Sequence, residues 1–528
     1  MQSTTLPAGA KSPSIRRYTG GQALWVTLSV VCLALFTSYF RNVVHFSVPV
    51  LSANDQMAFV SDGARIIHGQ LIYRDFFQFV TPGTSLFYAF LLRCFGVSLW
   101  IPDLSMVFLA AVTSLLIAMS AATILRGYFA ALPGLLFAGF VLWGSLDATH
   151  HWYSTVLVMG AMLALLKGSD LRHIAVAGTL CGLAASFTQS TGAAALAGFV
   201  VYLLCRSSQD RPRAGKSWRP VLLLCVMAAI IFLAVNGYFI LAVGVKRWTY
   251  CMITFPIRYY STMPINGWRA PWLDFVSHLT GLIKWIGVPF NYLVVPFAPP
   301  VVLWKILRRS GADTGESSNR LLLISITAIA LFLSVASSLT LKRISSISPP
   351  ALILLAWLCS KQSKASAATA WVLGAVSVAI ALFLPLRVQT AHWNFVDLPT
   401  GRVAIANPVH AELYSWLAKH TEPGEAYFGS MSIAFPLGLY NPAPIDYVVP
   451  WAYTRPKQID ATIAAIDKYK VRIITVPAFD TRGTYNQTSN PFQVFQNYLR
   501  HHYRLVNTFP SGDTAWERVD AMPQAILK

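Results

Sequence analysis

Residues 220–243, PVLLLCVMAAIIFLAVNGYFILAV, form an apolar stretch without a single charged side chain. A helix rises about 1.5 Å per residue, so this stretch can cross the roughly 30 Å hydrocarbon core of a bilayer. An uncharged run of this length is typical of a membrane span rather than of a soluble core. The stretch therefore predicts a transmembrane helix.

Similar apolar runs occur on both sides of it, and together they predict an α-helical multi-pass membrane protein of about eleven transmembrane helices. The predicted spans lie near 22–40, 99–122, 128–146, 151–167, 172–188, 190–205, 220–243, 280–304, 321–341, 344–360 and 368–386. The first run is not followed by an A-x-A cleavage site, so it is interpreted as a retained helix.

The composition agrees with lipid as the solvent. Charged residues make up 12% of the chain and hydrophobic residues 55%, whereas soluble domains carry about 25% charged residues. The net charge of +20 does not indicate nucleic-acid binding, because no zinc-finger spacing, RNA-binding sheet motif or basic helical arm is present. The seven cysteines include no C-x-x-C pair, which argues against a disulfide framework or a zinc site.

The basic residues predict the orientation of the chain. Every second connection between the apolar runs is rich in Lys and Arg, starting with the tail 1–21, so the positive-inside rule places the N-terminus in the cytoplasm. Eleven crossings then put the C-terminus outside. Lys342 and Arg343 depart from this pattern, because they lie in a connection predicted to face outside.

The predicted organisation is a cytoplasmic tail 1–21, a transmembrane domain 22–386 with an outer loop 41–98, and an outer soluble domain 387–528. The last region has no spanning run. Its pattern alternates between helices, at 412–420 and 458–468, and short strands, at 426–428 and 471–476, which indicates a small α/β domain.

The outer loop 41–98 has an unusual sequence, NDQMAFVSDGARIIHGQLIYRDFFQFVTPGTSLFYAFLLRCFG over residues 54–96. Apolar residues recur at helical spacing from Met57 to Ile67 and predict an amphipathic helix, which Gly69 ends as a left-handed cap. After the Pro82-Gly83 break a second short helix is predicted over 85–95. Asp55 opens the first helix, where a carboxylate can act as a cap or as a functional group.

These features resemble a known family. An Asp-led outer loop, the segment G-x-x-x-Y-R-D-F-F over residues 69–77, the Pro82-Gly83 break, many spans and an outer domain are similar to the GT-C superfamily. That superfamily includes the protein O-mannosyltransferases, the lipid A aminoarabinose transferase and bacterial dolichyl-phosphate-mannose-type glycosyltransferases. The resemblance implies a bacterial inner-membrane enzyme with a periplasmic C-terminal domain. It also implies a polyprenyl-phosphate sugar donor.

The resemblance further implies a catalytic base at the start of the first outer loop, often as an Asp-Glu pair. Asp55 matches the Asp, but Gln56 stands where the pattern has Glu. One carboxylate can deprotonate an acceptor hydroxyl as it attacks the anomeric carbon, and a single displacement inverts that centre. The leaving phosphate needs cations, and arginine suits it best. Outer-loop candidates are Arg65, Arg74, Lys246, Arg247, Arg258 and Arg269, with Arg74 and Arg258 preferred.

Other polar residues are further candidates for substrate binding. Asp75 can bind substrate, form a turn or pair with Arg74. His150 and His151 start a predicted span, where they can line a cavity or simply begin a helix. Gln189 lies in another outer turn, where it can bind a sugar or cap helices. The aromatic segment 250–272 can stack on sugars or lie in an interfacial belt.

The predicted partners are a polyprenyl-phosphate sugar donor, a lipid, glycan or protein acceptor, and membrane lipid, with no nucleic acid. The sequence indicates no particular cofactor, and a divalent metal stays open. Two alternatives remain beside an inverting glycosyltransferase. One is a transporter or flippase of a lipid-linked glycan, which usually concentrates polar groups near the bilayer midplane. The other is an outer-face polymerase or ligase of such glycans.

Overall fold

The computed structural model describes the chain from residue 20 to residue 519, apart from several connections. The described residues are 20–51, 55–142, 146–209, 218–263, 282–308, 316–360, 364–449, 454–478 and 491–519, with the single positions 266, 272, 275 and 276. The predicted tail 1–21, the loop residue Asn54 and the candidate Arg269 lie wholly or mostly outside these residues.

Helices make up most of the structure, about 72% of it. The long helices of the bundle are Gly20–Asn42, Trp100–Ala121, Tyr128–Leu136 with a π-helical turn Phe137–Val141, His150–Lys167, Leu171–Phe187, Gln189–Gln209, Arg219–Val243, Leu282–Pro289 with a π-helical turn Phe290–Val294 and a continuation Val295–Arg308, Glu316–Val335, Ser348–Ser360 and Lys364–Thr390. Each of the eleven predicted spans therefore corresponds to helical structure.

Among the described helices, fewer than eleven are long enough to cross a bilayer. Seven of the described helices are long and apolar enough, and shorter apolar helices such as Leu171–Phe187 and Ser348–Ser360 accompany them. The predicted span 344–360 is divided into Leu341–Ser346 and Ser348–Ser360. Pro349 and Pro350 explain the division, because proline has no amide hydrogen and suits only the first turn of a helix.

Small residues bring several bundle helices into close contact. A side-chain carbon added at Gly182 would lie 2.3 Å from the carbonyl oxygen of Ala228, and one at Gly178 would lie 2.5 Å from that of Leu224. Helix Leu171–Phe187 thus packs directly on the backbone of Arg219–Val243. Such close approach is typical of membrane bundles, where packing replaces the hydrophobic effect between helices.

The C-terminal region is a small α/β unit, as predicted. Its four-stranded sheet has the order β5-β6-β8-β7, with β5 (Tyr427–Phe428) parallel to β6 (Ile473–Val476) and the other pairs antiparallel. β7 is Tyr503–Thr508 and β8 is Thr514–Arg518, and an antiparallel hairpin joins β3 (Asn394–Leu398) to β4 (Gly401–Ile405). The helices are Pro408–His420, Met431–Ala434, Pro456–Lys468 and Pro491–His502.

The loop between the first two long helices folds as the sequence predicts. The strands β1 (Val43–Val44) and β2 (Val48–Pro49) pair first, and the helix Asp55–Ile67 follows, here named the Asp55 helix. Gly69 ends this helix at φ +87°, a backbone conformation that glycine adopts without strain. The second predicted helix extends over Gly83–Phe95.

The Asp55 helix packs on Gly83–Phe95 through Gly63. An added side-chain carbon at Gly63 would lie 2.9 Å from the backbone nitrogen of Ala89 and 2.9 Å from Cβ of Tyr88. Backbone atoms cannot move aside as a flexible side chain can, so the distance between the two helices depends on this glycine.

We expect Gly63→Ala to destabilise the protein by about 1–3 kcal/mol, because the two helices must separate. Thermal unfolding of the detergent-solubilised protein, followed by tryptophan fluorescence, measures the effect. Gly237→Ala is the matched control, since a side-chain carbon there meets nothing within 4 Å and alanine favours the helix. Equal unfolding temperatures for Gly63→Ala and the wild type would contradict the close packing.

Candidate functional site

Asp55 is the exposed first residue of the Asp55 helix, at the end of the bundle that faces the C-terminal unit, here termed the domain end. Its neighbour Gln56 is fully buried, and Oε1 of Gln56 accepts a 2.8 Å hydrogen bond from the backbone N–H of Ala148. This bond attaches the start of the Asp55 helix to the turn at 146–149. The turn carries a second carboxylate, that of Asp147.

Asp147 is 5% exposed and lies beside a cation. Its Oδ2 is 3.5 Å from Nζ of Lys342, and its Oδ1 accepts a 2.8 Å hydrogen bond from the hydroxyl of Thr149. Burial raises the pKa of Asp147, the positive charge of Lys342 lowers it, and the negative charge of Asp55 raises it further. The charge of Asp55 therefore reaches Asp147, which lies beside Lys342.

Arg343 brings a second cation and a tyrosine to this place. Nη2 of Arg343 donates a 2.7 Å hydrogen bond to the hydroxyl of Tyr260, whose ring lies 4.7 Å from that of Phe79. Tyr260 belongs to the aromatic segment 250–272, so part of that segment lines the site. Lys342 and Arg343 both lie on the short helix Leu341–Ser346.

His150 and His151 lie at the edge of the same cluster. Their rings are 3.9 Å apart, and the charge of Arg343 acts on both of them. The Nδ1 atom of each ring is buried and, among the described residues, has no hydrogen-bond partner. We define the site cluster as Asp55, Asp147, His150, His151, Tyr260, Lys342 and Arg343.

Gln189 joins three segments near this cluster. Its Nε2 donates to the carbonyl oxygen of Phe79 at 3.0 Å and to that of Met252 at 3.4 Å. Thr188 next to it donates a 2.9 Å hydrogen bond to the carbonyl oxygen of His150. Gln189 therefore fixes the aromatic segment against the first loop, and the structure places it in a positioning role.

The preferred arginines of the sequence lie elsewhere at the domain end. Arg74 is 57% exposed and forms a two-bond pair with Asp75, at 2.9 Å and 2.8 Å. Asp75 also accepts a 2.7 Å hydrogen bond from the backbone N–H of Leu71, so it combines the turn and ion-pair alternatives. Arg258 is exposed and lies over the ring of Tyr259 at 5.8 Å. The described contacts bring neither arginine to Asp55.

Arg65 connects the other end of the Asp55 helix to the C-terminal unit. It is 4% exposed, and its guanidinium donates to Asp446 at 3.1 Å, to the carbonyl oxygen of Ala443 at 2.6 Å and to Gln70 at 2.6 Å. It also lies 4.5 Å over the ring of Phe76. These contacts place Arg65 in a structural joint, where each of its three guanidinium nitrogens already donates a hydrogen bond.

Asp62 is buried beside this joint. Its Oδ2 accepts hydrogen bonds from Nε2 of Gln78 at 2.9 Å and from the hydroxyl of Ser85 at 3.1 Å. Burial raises the pKa of Asp62 to about 7, with a smaller increase from the charge of Asp446, against the lowering effects of Gln78, Arg65 and Ser85. The loop therefore contains an acid that titrates near neutral pH.

No group of three or more His, Cys, Asp or Glu side chains in the described ranges is arranged to hold a metal ion.

The sequence did not assign Lys342, Arg343 or Tyr260 to the site. The sequence did contain an indication for Lys342 and Arg343, because these two residues depart from the alternation of basic connections. A pair of cations in a connection that is otherwise poor in charge is consistent with a functional position rather than with orientation. Tyr260 carried no signal of its own within an aromatic segment.

The sequence matches no protein family and no curated protein. In structure the chain is similar to ArnT from Cupriavidus metallidurans bound to undecaprenyl phosphate, at 13% identity and a TM-score of 0.61, over 95% of this chain and 99% of that one. It is also similar to apo ArnT, at 13% identity and a TM-score of 0.62, over 96% and 100% of the two chains. The mycobacterial arabinofuranosyltransferase AftD matches at 13% identity and a TM-score of 0.48, over 94% of this chain and 40% of its own.

The chain therefore shares the fold of ArnT, in agreement with the fold that the resemblance implied. The likeness extends over nearly the whole chain, including the C-terminal unit. Together with the long apolar helices, it identifies a multi-pass membrane protein. At 13% identity the likeness establishes the fold alone.

We expect the stability of the wild type to fall as the pH rises from about 4 to about 7, relative to Asp62→Asn. The folded protein keeps a proton on Asp62 that the unfolded chain releases at the ordinary pKa of 3.8, so deprotonation favours unfolding in this window. Thermal unfolding at pH 5 and pH 8 measures the difference, and the asparagine variant should lose less stability over that range.

Asp75→Asn is the control, because Arg74 lowers the pKa of Asp75. The stability that Asp75 contributes is lost only as the pH falls through that lowered pKa, so the loss lies below the tested range. If Asp62→Asn and Asp75→Asn change the slope between pH 5 and pH 8 equally, a raised pKa of Asp62 is wrong.

Proposed function

We propose that the protein is an inverting glycosyltransferase, which moves a sugar from a polyprenyl-phosphate donor to an acceptor at the domain end of the bundle. The observation that carries the proposal is the exposed carboxylate of Asp55, whose charge reaches the buried Asp147 beside Lys342. Similarity in fold to ArnT, which has been solved with undecaprenyl phosphate, supports the class of donor.

Asp55 acts as the general base. Its carboxylate is exposed, so an acceptor hydroxyl can reach it, and a positioned base contributes about 10²–10⁴ in rate. The proton of the hydroxyl moves to Asp55 while the oxygen attacks the anomeric carbon from the face opposite the phosphate. The bond from that carbon to the phosphate oxygen breaks, and polyprenyl phosphate leaves.

Lys342 and Arg343 bind the leaving phosphate. They lie next to each other at the site cluster, and charge-assisted hydrogen bonds to phosphate are the strong ones. Asp147 holds Lys342 in place, and Tyr260 holds Arg343. The imidazole nitrogens of His150 and His151 are suited to sugar hydroxyls. Arg74, Asp75 and Arg258 take no direct part in binding the phosphate and lie at the edge of the site. Arg65 and Gln189 hold in place the segments that carry the site cluster.

The acceptor side faces outside, on the periplasmic side of a bacterial inner membrane. The distribution of basic residues along the sequence supports this orientation, since most basic connections alternate with connections that are poor in Lys and Arg. The acceptor is a lipid, a glycan or a protein. The C-terminal unit comes near the Asp55 end of the helix, since the charge of Asp55 acts on Tyr447 of that unit.

Asp55→Asn should reduce sugar transfer by about 10²-fold or more, because asparagine cannot accept the proton. Transfer is measured with purified protein and the polyprenyl-linked sugar fraction of the cell membranes, and undecaprenyl phosphate should still raise the unfolding temperature. Asp460→Asn, on the exposed face of helix Pro456–Lys468, is the control. Transfer by Asp55→Asn at the wild-type rate would remove Asp55 as the base, whereas wild-type protein that transfers no sugar would favour the transporter or flippase alternative.

Lys342→Ala and Arg343→Ala should each weaken undecaprenyl phosphate binding roughly tenfold or more, since hydrogen bonds to charged groups contribute about 1.5–3 kcal/mol. Lys342→Arg should restore most of the binding, because it keeps the charge beside Asp147. The measurement is the ligand-induced increase in unfolding temperature over a range of undecaprenyl phosphate concentrations.

Arg74→Ala and Arg258→Ala are the matched comparison, because both cations lie at the domain end but away from the cluster. They should bind undecaprenyl phosphate nearly as the wild type does. The reverse result, weak binding in these two variants and wild-type binding in the Lys342 and Arg343 variants, would return the phosphate site to the arginines that the sequence favoured.

A further inference from the structure

A second polar groove lies where the first loop meets the C-terminal unit. It has a volume of about 500 Å³ and is lined by residues of the loop and of helix Pro456–Lys468. We name it the junction groove and define it by His68, Gln70, Asp75, Tyr440, Lys468 and Tyr469. A neighbouring cavity of about 510 Å³ shares His68 and Tyr440 with it, so the recess continues along the junction.

The floor of the junction groove is held rigidly. Nε2 of Gln70 donates to the hydroxyl of Tyr440 at 2.9 Å, and Oε1 of Gln70 accepts from Nε of Arg65 at 2.6 Å. Arg65 is itself fixed by Asp446 and Ala443. The ring of Tyr440 is therefore locked in place before any ligand arrives, which reduces the entropy cost of binding.

The walls combine aromatic faces with polar groups of both signs. Tyr469 is 44% exposed, its ring centre is 6.0 Å from that of Tyr440, and the planes are inclined by 56°. Lys468 and Asp75 add one positive and one negative charge at the edges. The short side chains of Ala464 and Ala465 leave the space between the walls of the groove open, since each has a single side-chain carbon.

These groups suit a saccharide. A sugar ring offers apolar C–H faces to aromatic rings and hydroxyls to amide, imidazole and charged groups, whereas a ligand of one charge would need a lining of the opposite charge. Binding sites for small polar ligands have this composition of aromatic surface with a few fixed polar groups. Asp75 is paired with Arg74, and Lys468 lies 5.4 Å over the ring of Tyr469, so both charges are engaged within the protein, which favours a neutral ligand over an anion or a cation.

The junction groove is connected to the site cluster by two elements. The Asp55 helix has Asp55 at one end and leads to His68 at the other, about 20 Å away at 1.5 Å per residue. Residues of the segment 440–446 line the groove or contact Arg65. Tyr447 follows this segment, and the charge of Asp55 acts on Tyr447. A chain of several sugars is long enough to span this distance, so an acceptor held in the groove can extend towards Asp55.

We propose that the junction groove binds the saccharide chain of the acceptor, at a distance from the reacting hydroxyl. The proposal rests on the proposed glycosyltransferase function and specifies its acceptor as a glycan or a molecule that carries one. Tyr469 and Tyr440 stack on sugar rings, and His68, Asp75 and Lys468 bind hydroxyls. None of these residues takes part in the chemical step.

The test measures transfer by the purified full-length protein to the carbohydrate fraction of envelopes from cells that lack it, over a range of amounts of that fraction. Tyr469→Ala should raise the apparent KM for the fraction roughly tenfold, equivalent to about 1.4 kcal/mol, with kcat unchanged. Ala464→Trp should act in the same direction by filling the groove. Leu505→Ala is the control, since Leu505 on β7 is 49% exposed and lies outside the groove.

The outcomes separate this proposal from the proposed function. A wild-type KM in both Tyr469→Ala and Ala464→Trp, with active wild-type protein, overturns the junction groove and leaves the glycosyltransferase intact. Wild-type protein that transfers no sugar overturns both. Periodate oxidation of the fraction should abolish the difference between Tyr469→Ala and the wild type. A difference that survives oxidation but disappears after proteolysis means that the groove binds a peptide instead.

Discussion

The buried guanidinium of Arg65 is the constraint on which the domain end depends. A charge taken out of water is costly unless its donors are satisfied, and removing a partner of such a group leaves an uncompensated charge. Arg65 is 4% exposed, and it is satisfied by Asp446 and Ala443 of the C-terminal unit and by Gln70 of the loop. The C-terminal unit must therefore sit where it does for the loop to fold, and both sides of the groove follow from that position.

The same helix carries this constraint to the site. Arg65 fixes one end of the Asp55 helix, and Gln56 fixes the other by accepting the N–H of Ala148. A helix held at both ends is a rigid spacer, and Gly63 sets its distance from the helix behind it. Asp55 thus lies on a regular element fixed by packing, which keeps its carboxylate in a constant position relative to Asp147 and Lys342.

The sequence predicts well what depends on local periodicity. The apolar runs, the Asp55 helix with its end at Gly69, and the helices and strands near 412–420, 426–428, 458–468 and 471–476 all follow from spacing along the chain. The site cluster depends on contacts between distant segments, which spacing does not contain. Lys342 is far from Asp147 in sequence and 3.5 Å from it in space. Arg74 is predicted as a phosphate ligand from the motif around it, yet it pairs with the adjacent residue, Asp75.

The presence of Gln56 in place of the expected glutamate has a physical explanation. The side chain at 56 is fully buried, and its oxygen is needed as an acceptor for Ala148. A glutamate could accept the same bond, but its charge would lie between Asp55 and Asp147, and burial would make that charge costly. Glutamine keeps the acceptor and removes the charge. The second acid of the site cluster is then Asp147, whose charge Lys342 offsets at 3.5 Å, so the charge of Asp55 meets a carboxylate that is already compensated.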